Sequence, residues 1–494
     1  MTDIPSQSPP AQAPDPRRWW VLAVVGTAQL MVVLDATIVN IALPSAQRDL
    51  GFSDADRQWV VTAYSLAFGS LLLLGGRLAD LFGPKRFFLA GAVGFAASSA
   101  LAGAAGSFEL LVAGRALQGL FGAVLAPTAL TLLNITFITA KDRARAFGVF
   151  GAIVGAGGAI GLLLGGLLTE HLSWRWTLYV NLIFAALALI GGLLALRQTR
   201  RDTRPRLDLP GTLVVSAGLF CLVYGLSNAD THDWGSPLTW GFLIAGVVLI
   251  AVFGFWQTRA AHPLLPLRIL RDRNRAASYL SILIAAVGTF GIFLFLTYYM
   301  QTTLGYSPVR TGCAFLPMIA VLVVSAQMST NLTVPKLGAR VAVPAGMLLG
   351  AGGLVWLTAL DLHSGYAAHV LPPLLVIGFG MGHVMPPAIG GATAGVAASD
   401  AGAASATVNT MQQVGGAIGT ALLNTLATSA ATDYLKSHPP NPAVVAEARL
   451  HSFITAFWWS AGIFTLGALA TGLLFRNRTG TTSQPDRTKT PAHL

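Results

Sequence analysis

Residues 19–43 read WWVLAVVGTAQLMVVLDATIVNIAL, a run of 25 residues in which Asp35 carries the only charge. About 20 apolar residues are enough for a helix to cross the hydrocarbon core of a bilayer, so this run predicts a membrane-spanning helix. A spanning strand would need ten-residue segments of alternating hydrophobicity, which the sequence lacks, and open backbone is not satisfied in lipid. The fold therefore depends on how often such runs recur.

Runs of this kind fill most of the 494-residue chain, in which 54% of the residues are hydrophobic and 10% are charged. Soluble domains carry about 25% charged residues, so a water-soluble fold would lack polar surface. The pattern predicts an all-α polytopic membrane protein with 14 transmembrane helices. The predicted spans are 19–43, 57–76, 87–106, 108–133, 147–169, 176–196, 209–227, 238–256, 277–300, 308–330, 341–360, 370–395, 403–428 and 451–475.

The chain ends and the loops predict the orientation of these helices. Residues 1–18 are polar and proline-rich without the apolar core of a signal peptide. Residues 476–494 are similar, and both segments are predicted to be disordered cytoplasmic tails. With the N-terminus inside, 24 of the 31 Lys and Arg residues fall in cytoplasmic segments and six in outer segments, as the positive-inside rule requires. The net charge of +11 thus reflects topology and contact with anionic lipid, and it does not indicate nucleic-acid binding.

An internal repeat divides the predicted spans. The string GGAIG occurs at 157–161 and again at 415–419, and the loop LFGPK at 81–85 has a counterpart in KLGAR at 336–340. Both matches pair a span with the one eight positions later. They predict two six-helix halves with two inserted helices between them, an architecture of many secondary transporters. The predicted halves are 19–196 and 277–475, and the inserted pair is 209–256.

Three further motifs stand at defined places in these spans. Span one contains LDATIVNIALP at 34–44, the loop after span two contains GRLADLFGPKR at 76–86, and span four contains RALQG at 115–119. In these motifs the chain resembles the major facilitator superfamily, specifically its fourteen-helix drug:proton antiporter branch, over nearly its whole length. The resemblance implies a multi-pass transporter of the bacterial cytoplasmic membrane that exports antibiotics or other small amphipathic compounds by alternating access. Its implied partners are the substrate, protons and lipids; it works as a monomer on the proton motive force without a cofactor.

Asp35 and Arg115 are the predicted proton-coupling residues. Asp35 lies eight residues before Leu43, about 12 Å below the outer end of its helix, and Arg115 lies about 10 Å deep in span four. An ionisable residue in the membrane costs roughly 2.5–3.5 kcal/mol or more and faces a cavity or a partner. A carboxylate balanced between burial and a guanidinium can take a proton outside and release it inside. The alternative is a static ion pair between spans one and four.

The loop after span two is predicted to be a cytoplasmic gate motif. Its residues are Gly76, Asp80, Gly83, Lys85 and Arg86. The resemblance implies that this motif latches the cytoplasmic side closed through charge-dependent docking of neighbouring helices. The alternative is a solvated turn whose charges follow the positive-inside rule.

Span five resembles the antiporter motif of the same branch. Its helix-packing glycines are Gly155, Gly158, Gly161, Gly165 and Gly166, and small residues of this kind permit close approach of helices. Leu162 follows Gly161 where the motif usually carries proline, so the kink that proline would impose is not encoded by that residue. This departure leaves uptake or symport open as an alternative to export.

A substrate cavity is predicted from polar and methionine side chains within the spans. The candidates are Gln118, Asn40, His383, Met385 and Gln412. Histidine could also relay protons near neutral pH, and methionine suits adaptable apolar pockets. Interhelical hydrogen bonding or core packing explains each of these residues as an alternative.

Other functional classes fit the sequence less well. No phosphate-binding loop is present for an ATP-driven pump, and no cluster of ionisable or metal-ligating residues indicates an enzyme or a metal site. A receptor or a channel would not explain the repeat together with Asp35 and Arg115. Within transport, an importer, a symporter or a dedicated exporter of a single metabolite remains the alternative, and the sequence does not name the substrate.

Overall fold

The computed structural model describes residues 16–476 except for 53, 199–207, 233–234, 262, 398–399 and 440. The predicted tails 1–18 and 476–494 lie almost wholly outside the described residues. The described part of the chain is helical and holds no strand. The predicted all-α class is therefore confirmed.

Fourteen long helices, α1 to α14, follow one another along the described chain. They are Arg18–Leu50, Asp54–Phe82, Pro84–Gly103, Phe108–Thr136, Ala140–His171, Trp176–Ala195, Leu209–His232, Pro237–Gln257, Arg273–Tyr298, Pro308–Met328, Ala339–Leu357, Leu371–Thr393, Ala401–Ser437 and Pro442–Leu474. Short α-helical turns lie at Arg268–Arg271 and Val334–Leu337, and π-helical turns lie at Tyr299–Thr303, Ser329–Thr333 and Tyr366–Val370.

Twelve of these helices are long and apolar enough to cross a membrane. Helix α5 qualifies as a thirteenth span only if its two parts, Lys141–Gly158 and Leu163–His171, are taken together across a bend of 45°. The helix therefore bends around Gly161, although Leu162 stands where the motif usually carries proline. Helix α13 does not qualify, because Asn409, Gln412, Gln413 and Asn424 and its many Gly and Thr residues lower its mean hydropathy. The polytopic membrane prediction is confirmed, and the total of 14 spans depends on α13.

Several helices extend well beyond the predicted spans. Helix α13 continues to Ser437 and α14 begins at Pro442, whereas the predicted spans end at 428 and begin at 451. The added turns carry Asp433, Lys436 and Glu447, which are all exposed. The reason is that a hydropathy pattern marks only the part of a helix that lipid surrounds, while backbone hydrogen bonds continue the helix into water.

One pattern of helix packing occurs twice. Helix α1 packs on α4, α5 and α6; α2 and α3 pack on α4; and α3 packs on α6. Eight helices later, α9 packs on α12, α13 and α14; α10 and α11 pack on α12; and α11 packs on α14. Helix α7 packs on α2, α8 and α13. Helix α8 is the least covered of the twelve spans, with 17% of its apolar window buried.

Contacts between the two sets of helices are dense at the end where residues 16 and 476 lie, which we call the terminal side. Helix α2 meets α13 there, and a β-carbon at Gly76 would lie 2.6 Å from the carbonyl oxygen of Gly402. Arg143 at the start of α5 donates to the Thr393 carbonyl oxygen at the end of α12, at 3.3 Å. The opposite end of the bundle is called the far side. Cytoplasmic placement of the terminal side remains a prediction.

Candidate functional site

Asp35 and Arg115 form an ion pair in the interior of the first six helices. Arg115 Nη1 lies 2.5 Å from Asp35 Oδ2. Asp35 is 0% exposed and Arg115 is 1% exposed. The prediction that the two charges meet at similar depth is therefore correct in geometry, and their role in proton coupling remains to be tested.

Three further side chains complete a buried network around this pair. Gln118 donates its amide hydrogens to Asp35 Oδ1 at 3.0 Å and to Ser99 Oγ at 2.7 Å. Its carbonyl oxygen accepts from Arg115 Nη1 at 2.8 Å. Asn181 donates to Asp35 Oδ1 at 2.7 Å and to Ser99 Oγ at 3.3 Å. The network thus joins α1, α3, α4 and α6, and Gln118, Asn181 and Ser99 are each 0% exposed.

The guanidinium of Arg115 has two more partners, both on α2. Its Nε donates to the Val60 carbonyl oxygen at 3.1 Å. Its carbon Cζ lies 4.5 Å above the centre of the Tyr64 ring, where the negative face of the ring attracts a cation. Arg115 therefore holds α1, α2 and α4 together, which a lysine could not do with a single ammonium group.

Helix α4 brings these groups together through its spacing and its glycines. Gln118 follows Arg115 by three residues, so both face the same side of the helix. A β-carbon at Gly119 would overlap the Tyr64 carbonyl oxygen, and one at Gly114 would lie 2.7 Å from Ala102 Cβ. Small residues at both positions let α4 approach α2 and α3 closely enough to close the network.

The network has a defined chemical state in this arrangement. Asp35 accepts three N–H donors, one on Oδ2 and two on Oδ1, which suits a carboxylate. A protonated carboxyl would need an acceptor for its own hydrogen. Protonation would therefore force at least one donor to withdraw and would leave the positive charge of Arg115 without its counter-ion.

The glycines of α5 lie against α1 close to this network. A β-carbon at Gly161 would overlap the Thr37 hydroxyl, and one at Gly165 would lie 3.0 Å from Ile38. Gly158 also faces Thr37, at an ordinary van der Waals distance, and Gly166 is buried. Gly155 is not among the residues whose surroundings the structure describes. The described glycines place α5 against α1 within one turn of Asp35.

The predicted cavity residues occupy different environments. Gln118 belongs to the buried network. His383 is 5% exposed; its Nδ1 lies 2.8 Å from Ser325 Oγ and its Nε2 lies 3.1 Å from Thr333 Oγ1. Met385 is 6% exposed, and Gln412 on α13 is half-buried. The side chain of Asn40 lies outside the described side chains. Contact of these residues with a substrate stays a prediction.

The predicted cytoplasmic gate motif lies on the terminal side. Gly76 faces α13, and Gly83 has a positive φ of 93° at the turn before α3. Lys85 donates to the carbonyl oxygens of Leu193 and Leu196 at the end of α6, at 3.3 and 2.5 Å, where the helix dipole favours a cation. Arg86 lies beside the Gln198 amide, and the side chain of Asp80 lies outside the described side chains. The described bonds of Lys85 remain within the first six helices.

Two members of the network were harder to assign from the sequence. Asn181 stands out as an amide in an apolar span, but interhelical hydrogen bonding explains such a residue equally well. Ser99 lies in a run of small residues and gives no signal. Their assignment depends on three-dimensional proximity to Asp35, from which they are separated by 146 and 64 residues along the chain.

Comparison with known proteins gives consistent matches. The family model described as Major Facilitator Superfamily matches residues 25–420. The puromycin resistance protein of Streptomyces alboniger is 48% identical over 97% of this chain and 95% of its own length. The cephamycin export protein of Amycolatopsis lactamdurans is 40% identical over 84% of this chain and 87% of its own length. The tetracenomycin C resistance and export protein of Streptomyces glaucescens is 37% identical over 86% of this chain and 78% of its own length.

Solved structures show the same fold at low sequence identity. The human organic anion transporter MFSD10 superposes with a TM-score of 0.61 at 16% identity, covering 92% of this chain and 100% of that protein. A bacterial homologue of the human lysosomal transporter Spinster superposes with a TM-score of 0.57 at 15% identity, covering 94% and 98%. The motifs, the repeated packing and these matches agree: this chain is a multi-pass membrane transporter that belongs to the Major Facilitator Superfamily.

Proposed function

We propose that this protein exports an antibiotic, with puromycin as the first candidate, in exchange for protons that bind Asp35. The observation that carries the proposal is the burial of Asp35 between Arg115, Gln118 and Asn181. Export is supported by the similar proteins, which are named for antibiotic resistance or export and of which one is 48% identical over 97% of this chain. The exchange mode is supported by the chemistry of the network, since protonation of Asp35 changes its contacts with α4 and α6.

The energetics suit an exporter that is driven by protons. Each proton that crosses the membrane inward contributes about 2.3 kcal/mol per 100 mV of membrane potential, and a pH gradient adds to this. Proton binding on the outside would neutralise Asp35 and release its partners, and proton release inside would restore the ion pair. Alternation between these two states would couple proton entry to substrate exit.

The proposed architecture has two six-helix halves, α1–α6 and α9–α14, around a substrate path near the midplane. Six helix pairs that recur eight helices later support this division. Helices α7 and α8 are the inserted pair, with α8 at the periphery. Fourteen spans, including the bent α5 and the polar α13, would put both termini on one side of the membrane, and the positive-inside rule makes that side the cytoplasm. A monomer would contain the complete path.

The test measures puromycin accumulation in an efflux-deficient bacterium that expresses the wild type, Asp35→Asn or Asp433→Asn. Asp433 is the control because it is an exposed carboxylate on α13 that pairs with Lys436 at 3.5 Å. We expect the wild type and Asp433→Asn to lower accumulation until a protonophore is added, and Asp35→Asn to have no effect. Higher accumulation with the wild type would indicate uptake. Unchanged accumulation would refute puromycin export, and export by Asp35→Asn that still responds to the protonophore would refute coupling at Asp35.

A further inference from the structure

A narrow apolar cleft lies directly on the far side of the buried network. It is formed by α1, α2, α4 and the start of α6, with no residue from α9–α14 among the described lining. Three lining residues each lie four positions, or one helical turn toward the far side, from a network residue: Val39 from Asp35, Leu111 from Arg115 and Thr177 from Asn181. The cleft therefore begins about one helical turn beyond the network, toward the far side.

The cleft and the network share a wall at Val60. Val60 lines the cleft, and its carbonyl oxygen accepts from Arg115 Nε at 3.1 Å. The Thr177 hydroxyl is the polar side-chain group nearest the network end of this lining, and it donates to the Trp174 carbonyl oxygen at 2.7 Å. Val60 thus borders the cleft and also contacts the guanidinium.

A charged cluster lies next to Trp174, which lines the cleft. Ala42 and Ala46 continue the lining along α1 to Trp174. Trp174 Nε1 donates to Asp49 Oδ2 at 2.9 Å, and Arg175 Nη2 lies 3.0 Å from the same oxygen. The Asp49 side chain is 50% exposed. Fourteen residues of α1 separate Asp35 from Asp49, which is about 21 Å along the helix.

We propose that this cleft is the path by which protons reach Asp35 from the far side, separate from the path of the substrate between the two halves. Asp35 is 0% exposed, so a proton must cross packed protein to reach it. A cleft with apolar walls is dry at rest because a buried water needs two to four polar partners. Hydrophobic constrictions gate by wetting and dewetting, so transient wetting of the cleft would supply a chain of waters for protons, whereas an antibiotic could not enter.

The inference rests on the proposed function, but its first test needs no substrate. Cys221 and Cys313 are the two cysteines of the chain, so replacing both with serine gives a background without thiols. Ala42→Cys places a thiol in the cleft. Ala28→Cys is the control, because Ala28 is a buried residue of the same helix outside the cleft, at 0% exposure against 2% for Ala42. Proteoliposomes are treated with silver ion or a bulky methanethiosulfonate, and the remaining thiol is alkylated after denaturation.

We expect silver ion to protect Ala42→Cys from alkylation and to leave Ala28→Cys unprotected, while the bulky reagent reacts with neither. An unreactive Ala42→Cys, or equal reactivity of the two positions, would overturn the proposed path. Equal reactivity of Ala42→Cys with both reagents would show a wide opening, which also contradicts a path that excludes the antibiotic.

A second test fills the cleft with Ala42→Leu and uses Ala23→Leu, at an exposed position of α1, as its control. We expect Ala42→Leu to bind tritiated puromycin within twofold of the wild type and to lose at least tenfold in transport driven by a pH gradient. Full transport by Ala42→Leu would refute the path. If the wild type does not transport puromycin, the proposed function fails, while the silver-ion result still decides on the cleft.

Discussion

Gly161 of α5 lies so close to Thr37 of α1 that no β-carbon fits between them without moving the threonine. Thr37 follows Asp35 by two residues, and its hydroxyl donates to the carbonyl oxygens of Val33 and Leu34 on its own helix. The contact therefore sets the position of α1 beside the buried carboxylate. It also lies within the bend of α5, between Gly158 and Leu163.

Gly161→Ala should lower puromycin export at least tenfold, because the added methyl group pushes α5 away from α1 next to Asp35. Gly462→Ala on α14 is the control, since a β-carbon there meets no atom within 4 Å, and a helical Gly→Ala change without a clash stabilises by about 0.5–1 kcal/mol. Accumulation assays and thermal unfolding in detergent measure both effects. Adding Thr37→Ala should partly restore export, and full activity of Gly161→Ala alone would contradict the packing argument.

Asn181→Leu should reduce proton-driven export at least tenfold, because Asp35 Oδ1 loses one of its two donors. Loss of this hydrogen bond to a charged acceptor should also cost about 1.5–3 kcal/mol in stability, although Gln118 still donates to the same oxygen. Asn228→Leu is the matched control: Asn228 is 6% exposed and bonds Thr239 at 2.7 Å between α7 and α8. It should lose stability and keep export. Equal export losses in the two variants would show that Asn181 acts through stability alone.

Arg115→Leu should destabilise the protein by about 3–5 kcal/mol, since it leaves the Asp35 carboxylate buried without a cation. Arg115→Lys should lose less stability but still fail to export, because an ammonium group cannot maintain the forked bonds to Asp35, Gln118 and Val60. The double change Asp35→Asn with Arg115→Leu should recover stability without recovering export. Thermal unfolding and puromycin accumulation separate these outcomes, and export by the double variant would disprove the coupling role.

Gly76→Val should prevent close approach of α2 and α13 on the terminal side, because a β-carbon at this position lies 2.6 Å from the Gly402 carbonyl oxygen and 2.8 Å from Ala406 Cβ. We expect puromycin binding to persist and export to fall at least tenfold. Gly254→Val on α8 is the control, since no atom lies within 4 Å of its β-carbon position. Normal export by Gly76→Val would show that this contact is dispensable for the transport cycle.

Asp49 should make stability depend on pH at the far side. The hydrogen bond from Trp174, with the charge of Arg175, holds the pKa of the Asp49 carboxyl below its ordinary value of 3.8. A pKa that is lower in the folded than in the unfolded state stabilises the fold above the ordinary value, and this contribution is lost as the pH falls through the lowered pKa. Asp49→Asn should therefore lower the unfolding temperature at pH 7, and the difference from the wild type should shrink as the pH falls below 3.8 and through the lowered pKa. A difference that is constant with pH would contradict this account.

Charge and hydropathy in the sequence were enough to predict the long helices and the meeting of Asp35 with Arg115, because a charge in lipid needs a partner and depth follows from helix rise. Ser99 and Tyr64 could not be predicted as neighbours of that pair, since their positions depend on how closely α3 and α2 approach α4 at Gly114 and Gly119. Packing distances of this kind are set jointly by several helices, and no local pattern encodes them.

The bend of α5 shows a different limit of sequence reasoning. Leu162 removes the residue that would impose a kink, yet the helix bends by 45° between its two parts. Glycine weakens a helix without specifying a direction, and the bend lies where Gly161 contacts Thr37 of α1. The low hydropathy of α13 has a related cause. Its small residues pack against α2 and α9 and do not face lipid alone.

The ion-paired network belongs entirely to α1–α6, and no Asp, Glu, Lys or Arg within the described side chains of α9–α14 is buried. The two sets of helices share one packing plan but have diverged in chemistry. For the proposed exporter, this separation predicts that mutations in α9–α14 can change which compound is recognised while the ion-paired network stays intact. Adaptation to a new compound then requires change in only one of the two sets of helices.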